Sequence, residues 1–419
     1  MSAVPFWYRL APFLGRAPDL THHQWRLLGL VAAVSFFEQY DTYLFSLNLK
    51  QIQAELAIAE ADLGVLGAIV RAGAFLAVLP AMAADRYGRR RLLLLTVVGY
   101  TVFTGLTALA PTAEAFVASQ MLAKCFGTAE VVIAAVVIAE EFAPEHRGWG
   151  IGALFALQAC GAGFAALMFG FVEYLPYGWR ALYVIGLVPL VLIAYWRRTL
   201  PETTRFESVS VHAPVLRHVH DLFADRPRWS IGLFGAVFGL ALATGSAGFF
   251  APKYLQDVHG WTPGGVATLN VLGGALAIVG NPLAGHLSDR FGRRPVTALF
   301  TGAFAVVAIV FYASAGLLVP LLWIFLIFFA MGSDVTLTSY GTELFPTRYR
   351  TTATGFRSLV STAANIVGLL LVSALFTVLH SNWAAITVLC ALSLVGPIVV
   401  WRLLPETAGR QLEEITERG

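Results

Sequence analysis

Seven ionisable side chains stand inside stretches that are otherwise apolar for about 20 residues, the length that spans a bilayer. They are the acids Glu38, Asp41, Glu130 and Asp334 and the bases Arg71, Lys124 and Arg357. A charge in hydrocarbon is costly, so such residues either pair with one another or serve an ion or solute pathway. Glu38 and Asp41 are three residues apart and share one helix face, with Phe45 four residues further on. Carboxylates so placed suit the carriage of a proton across an apolar barrier, which makes Asp41, Glu38 and Glu130 the candidate proton-coupling residues. Arg71 has Asp41 and Glu38 as alternative partners. Lys124 and Glu130 straddle the middle of one stretch, but at six residues apart they do not share a face. Asp334 stands 204 residues after Glu130, and Arg357, about one turn into its stretch, suits a snorkelling or gate position. Candidate solute-binding residues are Arg71, Lys124, Gln158, Phe249, Asp334, Asn365 and Tyr40, with Phe250 and Asn270 nearby. An aromatic taken alone more often serves packing than binding.

The elements that must position these residues are long apolar segments. Of the 419 residues 58% are hydrophobic and only 13% charged, which excludes a soluble globular chain and predicts an all-α membrane protein. Twelve apolar runs are legible: 27–49, 62–84, 92–110, 115–139, 149–173, 180–198, 230–252, 265–285, 296–318, 320–342, 352–379 and 383–403. The termini and the loops after even-numbered runs hold 22 of the 28 Lys and Arg residues, while the opposite loops hold only Lys50, Arg180 and Lys253. The excess of cations places both termini in the cytoplasm. Arg9, Arg16 and Arg26 precede the first run without a cleavable leader pattern, so that run is expected to double as an uncleaved signal. Cys125, Cys160 and Cys390 all lie within apolar runs and imply no disulfide framework.

Three landmarks recur at one interval. Asp85-Arg86-Tyr87-Gly88-Arg89-Arg90 returns as Asp289-Arg290-Phe291-Gly292-Arg293-Arg294, 204 residues later. Glu140 to Arg147 answers Glu343 to Arg350 at 203 residues, and Pro201-Glu202-Thr203 answers Pro405-Glu406-Thr407 at 204. A duplicated six-helix half follows, giving two pseudo-symmetric six-helix bundles over 1–200 and 229–419 joined by a linker at 201–228. His212, His218 and His220 lie in that linker; with no cysteine or clear carboxylate companion they read as part of a solvated segment rather than a metal site. No metal or cofactor is expected.

Twelve apolar runs in two similar halves, with an Asp-Arg-x-Gly-Arg-Arg hairpin after the second and again after the eighth, resemble the major facilitator superfamily over essentially the whole chain. One departure is visible: the family's glycine four residues before the Asp is Gly285 in the second copy but Ala81 in the first. Pro405 to Ile415 is similar to the ending shared by sugar porters and organic-ion transporters. Tyr340 to Thr347 followed by Arg350 is similar to a turn of organic-ion and aromatic-acid transporters. The seventh run, Thr244 to Phe250, lacks the paired glutamines of sugar porters, and Asn365 is neutral where charge follows the substrate in organic-ion transporters. The resemblance implies secondary transport of a small organic solute by alternating access. It also implies a cytoplasmic gate built from Asp85, Arg89, Arg90, Glu140, Arg147, Asp289, Arg293, Glu343 and Arg350, with Glu202 and Glu406 as partners.

No phosphate loop, nucleophile elbow or cysteine–histidine cluster is present in the sequence, so ion or solute gradients must supply the energy. The expected activity is proton-coupled symport. A proton-driven antiporter exporting drugs or metabolites is the alternative, and a non-transporting receptor on the same scaffold ranks last because the membrane charges are retained and no large extramembrane domain is visible. Expected partners are a small-molecule substrate and the lipid bilayer of the plasma membrane, without nucleic acid, and the expected unit is a monomer.

Overall fold

Threonine, serine and proline fix where the helices start. Ahead of α1 (His22–Leu47), Thr21 Oγ1 accepts the Gln24 N–H at 3.2 Å while Gln24 Oε1 accepts the Thr21 N–H at 2.9 Å, a reciprocal cap. The computed structural model of the chain describes residues 5–9, 11–197, 220, 222–316, 318–345 and 347–409. After α1 come α2 (Leu49–Glu55), α3 (Leu63–Leu76), α4 (Val78–Tyr87), α5 (Arg89–Leu109), α6 (Ala113–Glu141), α7 (Pro144–Phe169) and α8 (Trp179–Arg197). They are followed by α9 (Pro227–Asp257), α10 (Pro263–Phe291), α11 (Arg293–Ala313), α12 (Leu318–Glu343), α13 (Thr347–Leu379), α14 (Asn382–Leu392) and α15 (Val395–Leu403). Thr112, Thr262 and Ser381 cap α6, α10 and α14 through their hydroxyls, and prolines open α7, α9 and α10.

Among the described residues every regular element is helical, and ten helical stretches are long and apolar enough to cross a membrane. Two of the twelve predicted runs fall outside that set for different reasons. The sixth lies in α8, whose described apolar stretch is Trp179–Tyr195, and α1 carries Arg26, Glu38 and Asp41 within 26 residues. Large apolar side chains such as Leu79, Leu109, Val188 and Leu299 are more than half exposed, as lipid-facing residues must be.

The chain forms two compact units, Met1–Ile58 with Ile69–Ser210, and Ala59–Ala68 with Val211–Gly419. In the first, α1 packs along α7 and α5 along α6; in the second, the repeat-related pairs α9 with α13 and α11 with α12 do the same. Glycines set the closeness of these contacts. A Cβ on Gly161 would lie 2.0 Å from the Phe36 carbonyl oxygen, so α7 touches the backbone of α1 there. The stretch Ala59–Ala68, which the sequence reading places in the first half, groups with the second unit. There the Val65 N–H donates to Ser373 Oγ at 3.1 Å, and a Cβ on Gly64 would meet the Leu369 carbonyl oxygen at 2.3 Å. Most of the expected linker, including Glu202, His212 and His218, lies outside the described residues, as do the side chains of Asp85, Arg90 and Arg350.

Candidate functional site

Four helices of the first unit bring polar side chains to one buried point on α1. Glu38 and Asp41 are each about 5% exposed. From α6, Lys124 Nζ donates to Glu38 Oε1 at 2.6 Å and to Thr42 Oγ1 at 3.0 Å. From α7, Gln158 Nε2 donates to Glu38 Oε2 at 3.0 Å, so each carboxylate oxygen has its own donor. From α5, Thr104 Oγ1 donates to Asp41 Oδ2 at 3.1 Å, while among the described residues Asp41 Oδ1 is buried without a hydrogen bond, with Gln120 of α6 near this carboxylate. Gly127 lets α6 come this near, since a Cβ there would sit 2.7 Å from Glu38 Cγ. The cation beside Glu38 is therefore Lys124; Arg71, the other candidate in this unit, lies within electrostatic reach of Tyr43. Glu130 is fully buried one and a half turns beyond Lys124 on α6. Tyr40 stands apart from the cluster: its hydroxyl donates to the Leu182 carbonyl at 2.8 Å and its ring packs against Phe37 and Phe164, tying α1 to α7 and α8.

The candidates of the second unit do not form one cluster. Asp334 on α12 pairs with Arg357 on α13 at 2.7 Å, joining a predicted solute-contacting residue to one expected at a gate. Asn365 sits in a notch left by Gly245, donating to Ser361 of its own helix at 2.8 Å, and a Cβ at Gly245 would overlap its Oδ1. Phe249 is buried edge-on to Phe250 at 5.2 Å.

The repeated hairpins take one backbone form. Gly88 and Gly292 have φ of 94° and 103°, values that a side chain disfavours, and each ends one helix while starting the next. In the second copy, Arg293 reaches Glu343 at 2.8 Å and Asp289 at 2.6 Å. Glu406 accepts the backbone N–H groups of Arg293 and Arg294 at 2.7 and 3.1 Å, an acid on the N-terminus of α11. Thr407 Oγ1 donates to Glu343 at 2.6 Å. In the first copy Arg89 pairs with Glu140, whereas Arg147 turns back to donate to the Phe142 carbonyl at 3.1 Å.

Sequence reasoning missed the neutral groups that complete these networks, Thr42, Thr104 and Thr407; the spacing of Thr42, four residues after Glu38, was the available signal. It also passed over Lys253, which is 2% exposed and pairs with Glu60 at 2.8 Å and with Asp257; Asn382 Nδ2 adds a bond to Glu60 at 2.8 Å. Among the described residues no group of three or more His, Cys, Asp or Glu could hold a metal ion.

A buried, charge-bearing cluster in an all-helical, lipid-faced chain with a repeated basic hairpin defines a membrane transporter. The model of the Major Facilitator Superfamily matches residues 31–342 and 273–418, and the chain belongs to that family. It is a transporter, not an enzyme. Among curated relatives, "Probable 4-methylmuconolactone transporter" of Cupriavidus pinatubonensis is 26% identical over 91% of this chain and 90% of its own. "Cis,cis-muconate transport protein" of Acinetobacter baylyi is 28% identical over 80% and 83%. A solved D-xylose-proton symporter shares the fold at a TM-score of 0.74 and 17% identity, covering 92% of this chain and 98% of its own.

Proposed function

We propose that this protein is a proton-coupled symporter that imports a small unsaturated or aromatic organic acid by alternating access. The carrying observation is the Glu38–Lys124–Gln158 group beside Asp41, which sets two buried acids and a partly buried cation on one side-chain network. The relatives named above are a probable 4-methylmuconolactone transporter and a cis,cis-muconate transport protein, and a carboxylate such as muconate is a solute that a partly buried lysine suits. The working unit is a monomer of twelve spans in two six-helix bundles, α1 and α8 completing the set. Both termini face the cytoplasm, the plasma membrane is its site, and the proton is its coupling ion, with no cofactor. The hairpins at Gly88 and Gly292 with Arg89, Glu140, Arg293 and Glu343 form the cytoplasmic gate, and Asp41 with Glu38 and Glu130 supplies the proton path.

Proteoliposomes loaded at neutral pH and diluted into acidic medium test this. Accumulation of labelled cis,cis-muconate or benzoate is expected, abolished in Asp41→Asn while counterflow exchange survives. Depletion of preloaded solute under the same gradient would establish the antiporter instead. Intact proton-driven accumulation in neutral variants of Asp41, Glu38 and Glu130 would end the assignment of coupling to these acids.

A further inference from the structure

Lys124 and Gln158 approach Glu38 from two different helices and place one donor on each carboxylate oxygen, at 2.6 and 3.0 Å. Nothing in that two-pronged geometry is particular to a glutamate; any carboxylate of the right reach satisfies it. Exposure is uneven across the pair. The Lys124 side chain is 22% exposed and that of Glu38 5%, so the cation is the more accessible of the two. Resting on the organic-acid reading above, we infer that Lys124 and Gln158 form a carboxylate-binding site which Glu38 occupies as a resident ligand in the empty protein. A solute carboxylate takes Glu38's place there, and one proton binds to the displaced Glu38 side chain.

Charge balance carries the second half of that statement. Titratable groups around Glu38 are Lys124 on α6, Asp41 on α1 itself, and Tyr100 on α5; Tyr183 on α8 lies beside Asp41, and α7 contributes the neutral Gln158. Glu130 is buried further along α6. Among the described residues Lys124 is the cation paired with Glu38, and Asp41 Oδ1 makes no hydrogen bond. When the solute's carboxylate claims Lys124, Glu38 is left as a buried anion beside Asp41, a state that is strongly unfavourable until a proton neutralises it. The site's net charge is then the same before and after a monocarboxylate binds. Coupling becomes a property of ligand exchange: solute and proton enter as a neutral pair, one for one.

The test uses purified full-length protein, with benzoate as the anionic probe and benzamide as its neutral counterpart, followed by calorimetry in buffers of different ionisation enthalpy. Wild-type protein is expected to take up about one proton per benzoate bound, with affinity falling about tenfold per pH unit on the alkaline side. Benzamide should bind at least about tenfold more weakly, with no proton uptake. In Glu38→Gln the resident charge is gone, so benzoate should bind at least as tightly, with proton uptake near zero and affinity flat in pH. Gln158→Leu leaves every charge in place and takes the same bond from Glu38 and from the solute, so benzoate affinity should stay within about threefold of wild type with the proton count kept. Unchanged proton uptake in Glu38→Gln, or loss of proton uptake in Gln158→Leu, overturns the exchange. If proteoliposomes of the wild type still accumulate benzoate in that case, only the exchange fails. Failure of wild-type protein to bind benzoate or cis,cis-muconate overturns both the exchange and the organic-acid reading.

Discussion

Glu343 shows how one side chain earns its place among others. It takes three bonds from the Arg293 guanidinium and one from the Thr407 hydroxyl, in a setting where both charged partners are less than a fifth exposed. Glu343→Gln removes the charge and keeps the shape, leaving Arg293 with the exposed Asp289 as its remaining acid. The expected loss is about 1–3 kcal/mol, read as a lower melting temperature of the purified protein. Asp289→Asn, at a partner 63% exposed, should cost under about 1 kcal/mol by the same measurement. An equal effect from both substitutions would mean that burial does not set the strength of this network. Glu38 and Asp41 teach the same lesson on one helix. Three residues apart, one is met by a lysine and an amide while the other takes a threonine hydroxyl with Gln120 near it, so their surroundings differ although their sequence setting is alike.

At the scale of elements, glycine decides where helices touch. Gly161 has the Phe36 carbonyl against it, whereas Gly163, two residues along the same helix, has nothing within 4 Å of a built Cβ. Gly161→Ala should push α7 off α1 and cost about 1–3 kcal/mol or more. Gly163→Ala should stay within about 0.5 kcal/mol of wild type or stabilise the helix slightly. Thermal unfolding of the two variants side by side separates close packing from helix propensity. Gly292 adds a backbone requirement to a packing one. With φ of 103° and a built Cβ 2.7 Å from Glu406 Oε2, Gly292→Ala meets both strain and the loss of the acid that caps α11.

For the whole molecule, the basic residues make a topological prediction. In a background with Cys160→Ser, Tyr174→Cys should react with a membrane-impermeant maleimide on intact cells, and Phe291→Cys only in inverted vesicles; both sites are well exposed. Reaction of both from one side would reverse the orientation argued from the cations. Much of the architecture was legible without coordinates. Apolar length, the 204-residue interval and the doubled Asp-Arg-x-Gly-Arg-Arg hairpin determined an all-helical membrane chain of the transporter family, because a bilayer imposes one span length and a duplication leaves its period in the sequence. The seven membrane charges were found the same way, since a charge in hydrocarbon stands out. Their partners were not. That Lys124 rather than Arg71 meets Glu38, that Asp334 meets Arg357, and that Tyr40 turns its hydroxyl to Leu182 depend on how helices rotate and how closely glycines let them approach. Periodicity fixes which face of a helix a residue occupies. Only tertiary packing decides which neighbouring helix that face meets, and so which acid meets a lysine and which a hydroxyl.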